Sequence, residues 1–362
     1  MKRTLKLAAL LLIAAMALPL FFGCSPLSGK SDDWSSGYNP VIVVDNNTPV
    51  PEPTKAPEEP VNLTPEPTDV PTAVPTDTPT PVPTATPVPS SFQFGGTTVQ
   101  KGQTSVRVKG EKSALIRISA EEMDLLVALC PKLTDLVLDY CCMADYSRIG
   151  ELTSLKNLQI TTTTHEKDYG IPLVDIDWIS SLGNLRTLTL SYNKINDVRA
   201  LSDLTDLEEL NLAWNDLDDD DLEWLSGLNL KRLYLYCNYN IRNVSPLASI
   251  RSLEMLHLGG CRRVTSVKSL GALPRLKELD ISYCPIKDYT VFRNFGMLKT
   301  LRIYCTEFVD YYFYYDLAQC EPLEKIVISK EDTEIENALY GMIIDLRPDI
   351  EIVYWEDYQK TL

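Results

Sequence analysis

The chain has 362 residues, with 34 lysines and arginines against 50 aspartates and glutamates, and a formal net charge of -16. That balance excludes a binder of nucleic acid or anionic lipid headgroups, because both need a basic face to neutralise phosphates. Only two histidines, His165 and His257, are available for acid–base or metal chemistry, so little in the composition points to an enzyme.

In chain order, the first element is an export signal. Lys2, Arg3 and Lys6 give a positive start, and an apolar run from Leu7 to Phe22 follows, interrupted only by Pro19. The run is short for a membrane span. Phe21-Phe22-Gly23-Cys24 then resembles a bacterial lipobox, in which a small residue precedes a cysteine that is diacylated and becomes the new N-terminus. Gly23 and Cys24 fit, whereas Phe at the two earlier positions departs from the usual Leu and Ala or Ser. The resemblance implies residues 1–24 as a lipoprotein signal peptide and Cys24 as the lipidation site. The exported chain would then sit on the extracellular face of the cell membrane, held there by its N-terminal lipid only.

Most of the 24 prolines fall between Asp45 and Ser91. Units such as Asp69-Val70-Pro71-Thr72-Ala73-Val74-Pro75-Thr76 carry almost no large apolar side chains. Such a stretch cannot bury enough surface to offset its ordering entropy, so residues 25–96 are expected to form a disordered, largely polyproline II stalk. At about 3.1 Å per residue, the roughly forty-five residues of its Pro-rich part could reach on the order of 140 Å.

Self-similarity announces the folded part. Leu185-Arg186-Thr187-Leu188-Thr189-Leu190-Ser191-Tyr192-Asn193 recurs at Leu207, Leu230, Leu253, Leu276 and Leu298, with apolar residues at the first, fourth and sixth places. The leading leucines step by 22, 23, 23, 23 and 22 residues. Weaker copies start at Leu133, Leu155 and Leu323. This Leu-x-x-Leu-x-Leu/Ile-x-x-Asn/Cys pattern resembles the leucine-rich repeat family in its short, internalin-like bacterial form, over about Leu133 to Ile328, with Thr306 departing at the last ninth place. Each unit supplies one short strand whose inward residues cannot be buried without a neighbour. The expected fold class is therefore α/β: a right-handed leucine-rich repeat solenoid, or horseshoe, with a parallel concave sheet, preceded by the stalk. Segments such as Val198 to Leu204 and Leu222 to Leu225 suit short helices or 3₁₀ turns on the other side.

An N-terminal cap is expected over 97–132, repeats over 133–331 and a C-terminal cap over 332–362. Ser105 to Ile118 reads as a strand or hairpin, and Ala120 to Cys130 as a helix with Leu125, Leu126 and Leu129 on one face. Glu334 to Asp345 reads as helical and Ile350 to Trp355 as a closing strand. The ninth-place Asn193, Asn215 and Asn238 should turn inward and bond the backbone of adjacent loops.

The register accounts for most cysteines as packing rather than chemistry. Cys141, Cys261 and Cys284 hold the Asn/Cys place, while Cys130 and Cys320 lie three residues before a leading leucine. Cys237 and Cys305 sit at a rim position, and Cys142 has no place in the register. His257 and Cys261 are four residues apart but should point to opposite sides. His165-Glu166-Lys167-Asp168 lacks the spacing of a metal site. The run Asp218 to Asp221 lacks the glycine and alternating ligands of a calcium loop and suits a helix start instead. No catalytic residue, cofactor or metal is expected.

Strand alternation is expected to send the third, fifth, seventh and eighth places to the concave face. Tyr140, Tyr192, Trp214 and Tyr283 stand at the eighth place, Tyr236 and Tyr304 at the seventh, and Tyr234, His257, Asp280 and Arg302 at the fifth. Aromatic side chains with polar tips on a rigid sheet suit an interface hot spot, although they could also stack as a stabilising ladder. The acidic neighbours Asp135, Asp139, Glu209, Glu278 and Asp280 suggest a partner with some positive charge. Extra residues around Thr161 to Ile171 and near Tyr311-Tyr312-Phe313-Tyr314-Tyr315 should emerge as loops. The expected function is a monomeric cell-surface recognition or adhesion module for a protein or peptide ligand. The alternative is a binder of cell-wall or host glycans on the same face.

Overall fold

The computed structural model describes residues 88–111, 114–162, 173–303, 311–330, 341 and 343–358. The segments read as a signal peptide and, up to residue 87, as a stalk, together with Cys24, His165, Tyr304, Cys305 and most of the segment read as a helix over Glu334 to Asp345, lie outside them. Among the described residues, no helix is long and apolar enough to cross a membrane.

The described elements begin with β1 (Ser91–Phe94), β2 (Thr97–Gln100), β3 (Ser105–Lys109), β4 (Ile116–Arg117) and α1 (Ala120–Leu129). Then come β5 (Asp135–Asp139), β6 (Cys141–Cys142), β7 (Asn157–Thr161), β8 (Thr187–Thr189) and β9 (Glu209–Asn211). After α2 (Asp219–Leu225) follow β10 (Arg232–Tyr234), β11 (Met255–His257), β12 (Glu278–Asp280) and β13 (Thr300–Arg302). The chain closes with α3 (Tyr311–Ala318), β14 (Lys325–Ile328) and β15 (Glu351–Tyr354).

Eleven of these strands form one sheet in the spatial order β3, β5, then β7 through β15. Every pairing in it is parallel and in repeat register: Leu188 lies opposite Leu210, Leu210 opposite Leu233, and Leu233 opposite Leu256. A parallel pair needs a crossover, and the 22- or 23-residue step leaves room for only a short one. Most returns are 3₁₀ helices of five residues or fewer, such as Asp177–Ser181, Ser245–Ser249 and Lys268–Ala272. Each drives an aliphatic residue, Ile179, Leu247 or Leu270, against the back of the leucine ladder. The fold is thus the leucine-rich repeat solenoid, with one continuous core between sheet and helical layer.

Where the acidic run begins, the return is α-helical. Asp218 caps α2 by accepting from the Asp220 amide, and Asp221 completes a capping box. Asp221 is buried, and its second oxygen accepts from the Val198 amide of the preceding repeat at 3.2 Å. Burial pushes its carboxyl up to about 6.

At the N-terminal end, β1 and β2 form an antiparallel hairpin turned through Gly95 and Gly96, both with positive φ. This hairpin begins at Ser91, within the segment assigned by composition to the stalk, because Phe92, Phe94 and Val99 find a core to enter. β3 extends the sheet beyond the first repeat. α1 opens with a Ser119–Glu122 capping box and buries Met123, Leu126 and Leu129, leaving Leu125 only half-buried. At the other end, β15 adds in parallel to β14.

The ninth place behaves as its chemistry requires. Asn215 Nδ2 donates to the Leu190 and Leu212 carbonyls at 2.9 and 3.0 Å, and its Oδ1 accepts from the Ile195 amide at 3.1 Å. Asn238 makes the corresponding bonds, and Asn193 donates in the same way while its Oδ1 accepts from the Thr162 hydroxyl. Cys261 and Cys284 supply a thiol donor to Leu235 and Leu258 at 3.3 and 3.2 Å. Asn215→Ala orphans the buried Ile195 amide, while the Leu190 and Leu212 carbonyls keep the Asn193 and Asn238 donors, and it is expected to cost about 1–2 kcal/mol. Asn215→Cys should cost less, since it keeps a donor. Thermal unfolding followed by circular dichroism checks both, and equal melting of Asn215→Ala and the parent would contradict the assignment.

Candidate functional site

Each strand from β8 to β11 ends at the fifth place of its repeat, but the backbone ladder continues for three more residues. The Leu190 and Tyr192 amides donate to Asn211 and Ala213, and the Leu212 and Trp214 amides to Tyr234 and Tyr236. At the eighth place the chain turns left-handed: φ is 52° at Tyr140, 60° at Tyr192, 58° at Trp214, 55° at Cys237, 78° at Gly260 and 58° at Tyr283. This turn is what sends the ninth side chain into the core. It also ends the alternation, so Tyr140, Tyr192, Trp214 and Tyr283 stand on the edge where the strands finish rather than on the concave face.

Left-handed backbone costs an L-residue about 1–2 kcal/mol, and glycine avoids that cost. Gly260 takes the glycine solution; four described repeats hold a large aromatic side chain there instead. Tyr192, Trp214 and Tyr283 are 41%, 37% and 45% exposed, while Tyr140 is half-buried. Tyr192 stacks on Trp214 with centroids 5.5 Å apart and planes at 11°. Tyr239, which alternation did not single out, meets Trp214 edge-on at 6.2 Å and 87°. It stands at the tenth place of a 23-residue unit, where the ninth-place anchor has already fixed the chain and a further side chain can only face outward. The Arg262 guanidinium lies 5.8 Å over the Tyr239 ring. Beside this edge, Asp218, Asp219, Asp220, Asn240, Arg242 and Arg263 line an open groove of about 380 Å³.

The fifth-place residues fare differently. His257, Asp280 and Arg302 were expected to face a ligand, yet all three are buried. His257 Nε2 lies 3.0 Å from Glu278 Oε1, and Arg302 bridges Glu278 and Asp280. Tyr236 reaches across the Gly259 backbone to donate to Asp280, two repeats on. A Cβ at Gly259 would stand 2.4 Å from the Tyr236 ring, so only glycine permits that crossing. Tyr234 and Tyr236 both meet the His257 ring edge-on, and Trp355 covers Arg302 at 5.4 Å. The C-terminal half of the sheet face is closed by its own side chains. Burial pushes the Glu278 carboxyl up, but the His257 bond and the Arg302 charge outweigh it and hold Glu278 below the usual glutamate range.

The acids that suggested a basic partner are engaged internally. Arg232 Nε donates to Glu209 at 2.8 Å, Asn157 donates to Asp135 at 2.6 Å, and the Thr161 hydroxyl donates to Asp139. On the opposite edge, where strands begin, the second places carry charges that pair between repeats. Lys231 meets Glu208 at 2.6 Å, Lys277 meets Glu254 at 2.7 Å and Lys299 meets Glu324 at 2.6 Å. Such exposed pairs contribute little to stability, but they leave that edge charge-compensated and without exposed rings.

Among the described residues, Cys130, Cys141, Cys237, Cys261, Cys284 and Cys320 are free thiols. Burial pushes the Cys141 and Cys261 thiols up to about 12, so neither is a ready nucleophile, and Cys261 points inward to Leu235 while His257 binds Glu278. Cys142 lies in β6, paired with Arg117 of β4. The insertion at residues 163–172 lies outside the described residues, but both anchors are fixed to the next unit. Thr162 donates to the Tyr192 carbonyl at 2.8 Å, and the Lys194 amide donates to Leu173 at 3.1 Å.

Residues 171–217 match the family described as leucine rich repeat. A curated, provisionally named adenylate cyclase regulatory protein of Trypanosoma equiperdum is 29% identical over 170 residues, which cover 45% of this chain. The chain spans 26% of the length of that relative. A crystal structure of an internalin, inlF, of Listeria monocytogenes aligns over 71% of this chain and 89% of its own, with 21% identity and a TM-score of 0.48. A leucine-rich repeat protein of Leptospira interrogans aligns over 64% of this chain and 56% of its own, with 23% identity and a TM-score of 0.49.

A carboxylate held below its ordinary value contributes stability at neutral pH that is lost as pH falls through the folded value. The C-terminal repeats should therefore lose stability below the ordinary glutamate value of 4.5. Glu278→Gln should flatten that part of the profile, which melts from pH 7 to pH 3 would read directly. Gly259→Ala, which displaces Tyr236 from Asp280, should lower the melting temperature at every pH in that series.

Proposed function

We propose that this chain is a surface-displayed recognition module that docks a protein or peptide partner on the aromatic edge of its solenoid. The observation that carries the reading is the retention of bulky rings at exposed left-handed positions where glycine would be less strained. Strain kept at a surface position calls for a compensating role, and rings with polar tips on a rigid frame are the chemistry of interface hot spots. Tyr140, Tyr192, Trp214 and Tyr283 form the row, and Tyr239 widens it. Tyr234 and Tyr236 roof the closed polar cluster beside it, and Tyr304 belongs to the proposal by its place in the repeat alone. The leucine-rich repeat match is in keeping with protein binding. In this reading Cys24 carries the lipid anchor on the outer face of the membrane, and the Pro/Thr-rich segment serves as a spacer. The reading takes the solenoid as a monomer.

A glycan reading draws on the same rings, because the parallel Tyr192–Trp214 stack offers a flat face of the kind that packs on a sugar ring. Two treatments of the target surface separate the readings: protease should abolish capture by the full chain, and glycosidases should not.

Replacing Tyr192, Trp214 and Tyr283 together with glycine should preserve the fold, with a change of about 1 kcal/mol or less per site. Relief of the left-handed backbone offsets the lost ring contacts. Capture of partners from candidate cell surfaces should nevertheless be lost. A folded triple variant that captures the same partners would sink the proposal, and a variant that unfolds would show the rings to be a structural ladder.

A further inference from the structure

Resting on the protein-binding reading, we propose that the segment accepted by the aromatic edge is an uncharged, proline-rich stretch in the polyproline II conformation, lying along the edge and crossing the strands. Three observations lead there.

The first is which surface remains available. With His257, Glu278, Asp280 and Arg302 bonded to one another, the open part of the sheet face lies over β7 to β9. Its outward side chains there include Gln159, Thr187, Thr189 and Asn211, all half-buried and neutral, and Glu209, whose charge is paired with Arg232. Among the described residues, the Gln159, Thr187 and Thr189 side chains have no hydrogen-bond partner. Asn211 uses its Oδ1 to accept from the Ala213 amide, which leaves its amide nitrogen to donate. The free amides and hydroxyls can donate to carbonyl oxygens, and the carboxylate among them already has a cation beside it. Such a shelf matches a ligand that brings carbonyl oxygens rather than ions.

The second is the shape of the edge. Trp214 and Tyr239, both partly exposed, meet at 87° and form a corner, with Tyr192 stacked on Trp214 and Arg262 over the Tyr239 ring. A pyrrolidine ring is compact and apolar and fits such a corner. Polyproline II segments are bound elsewhere in aromatic-lined grooves because they arrive already extended, with unpaired carbonyls directed outward. Strand addition is a poorer fit, since the edge amides of Tyr192 and Trp214 already donate to Ala213 and Tyr236. An amphipathic helix needs an apolar groove, and the shelf is polar.

The third is pitch. A polyproline II helix repeats every three residues, about 9.3 Å. Two strand spacings in a sheet are about 9.6 Å. A segment crossing the strands therefore returns the same face to every second repeat, which keeps its contacts in step with the solenoid.

The test titrates the full chain with a synthetic Val-Pro-Thr-Pro-Val-Pro-Thr-Pro peptide, followed by calorimetry and tryptophan fluorescence. The same peptide with glycine for proline and a lysine-rich peptide of equal length serve as comparisons. Saturable binding is expected for the proline peptide only, weakened about tenfold or more by Trp214→Ala or Tyr239→Ala. Trp224→Ala, an exposed tryptophan on α2, should leave it unchanged. Equal binding of the glycine peptide, preference for the lysine peptide, or indifference to Trp214→Ala would each overturn the proposal. Binding of maltohexaose or cellohexaose at Trp214, with none of the peptide, would overturn it in favour of a sugar. Should the triple glycine variant lose its surface partners while the proline peptide neither binds nor competes, this inference fails and the protein-binding reading stands.

Discussion

The whole structure depends on identical repeat places lying beside one another. Leu188, Leu210, Leu233 and Leu256 occupy neighbouring strands in register, so each repeat buries the apolar face of the next. No single unit has enough apolar surface to stand alone, and the core grows by addition along one axis. The same constraint keeps strands short, returns shorter still, and both ends in need of a cap. It also means that any property of one place, whether charge, ring or kink, becomes a row along the molecule.

The left-handed turn at the eighth place is the clearest example of such a row. It solves a backbone problem by bringing the ninth side chain inward, where Asn193, Asn215, Asn238, Cys261 and Cys284 bond carbonyls of adjacent loops. The inward anchor fixes the turn, and the turn fixes the direction of whatever stands before it. Rings placed there are therefore held rigidly at an edge, with little entropy left to lose on contact. Rigidity of the frame and exposure of the ring come from the same bond.

Two chemistries divide the sheet face. Over β11 to β13, charges that would otherwise meet water are bonded to one another and roofed by Tyr234, Tyr236 and Trp355. Over β7 to β9, neutral amides and hydroxyls remain half-exposed beside the Tyr192–Trp214 stack. Acidic residues outnumber basic ones by a wide margin in the chain as a whole, yet the face itself is close to internally compensated. Net charge says little about a surface whose ions have already found partners across repeats.

The periodic part of the protein was legible from sequence alone, because one-dimensional spacing is what a solenoid is built from. Leucine places, inward asparagines, the packing role of Cys261 and Cys284, and the helix start at Asp218 all follow from local position. What the register could not supply was the outcome of meetings between repeats. Alternation placed His257, Asp280 and Arg302 toward a ligand, but their partners come from one and two repeats away, and pairing across that distance buried them. Alternation also ran past the end of the strand, so the eighth-place rings were assigned to a face when the left-handed turn delivers them to an edge. Tyr239 was missed for the same reason, since only the packed turn shows which side chain the ninth-place anchor leaves outside. Sequence determined which residues repeat; tertiary structure decided which of them still face water, because burial of a polar group depends on the neighbour that bonds it.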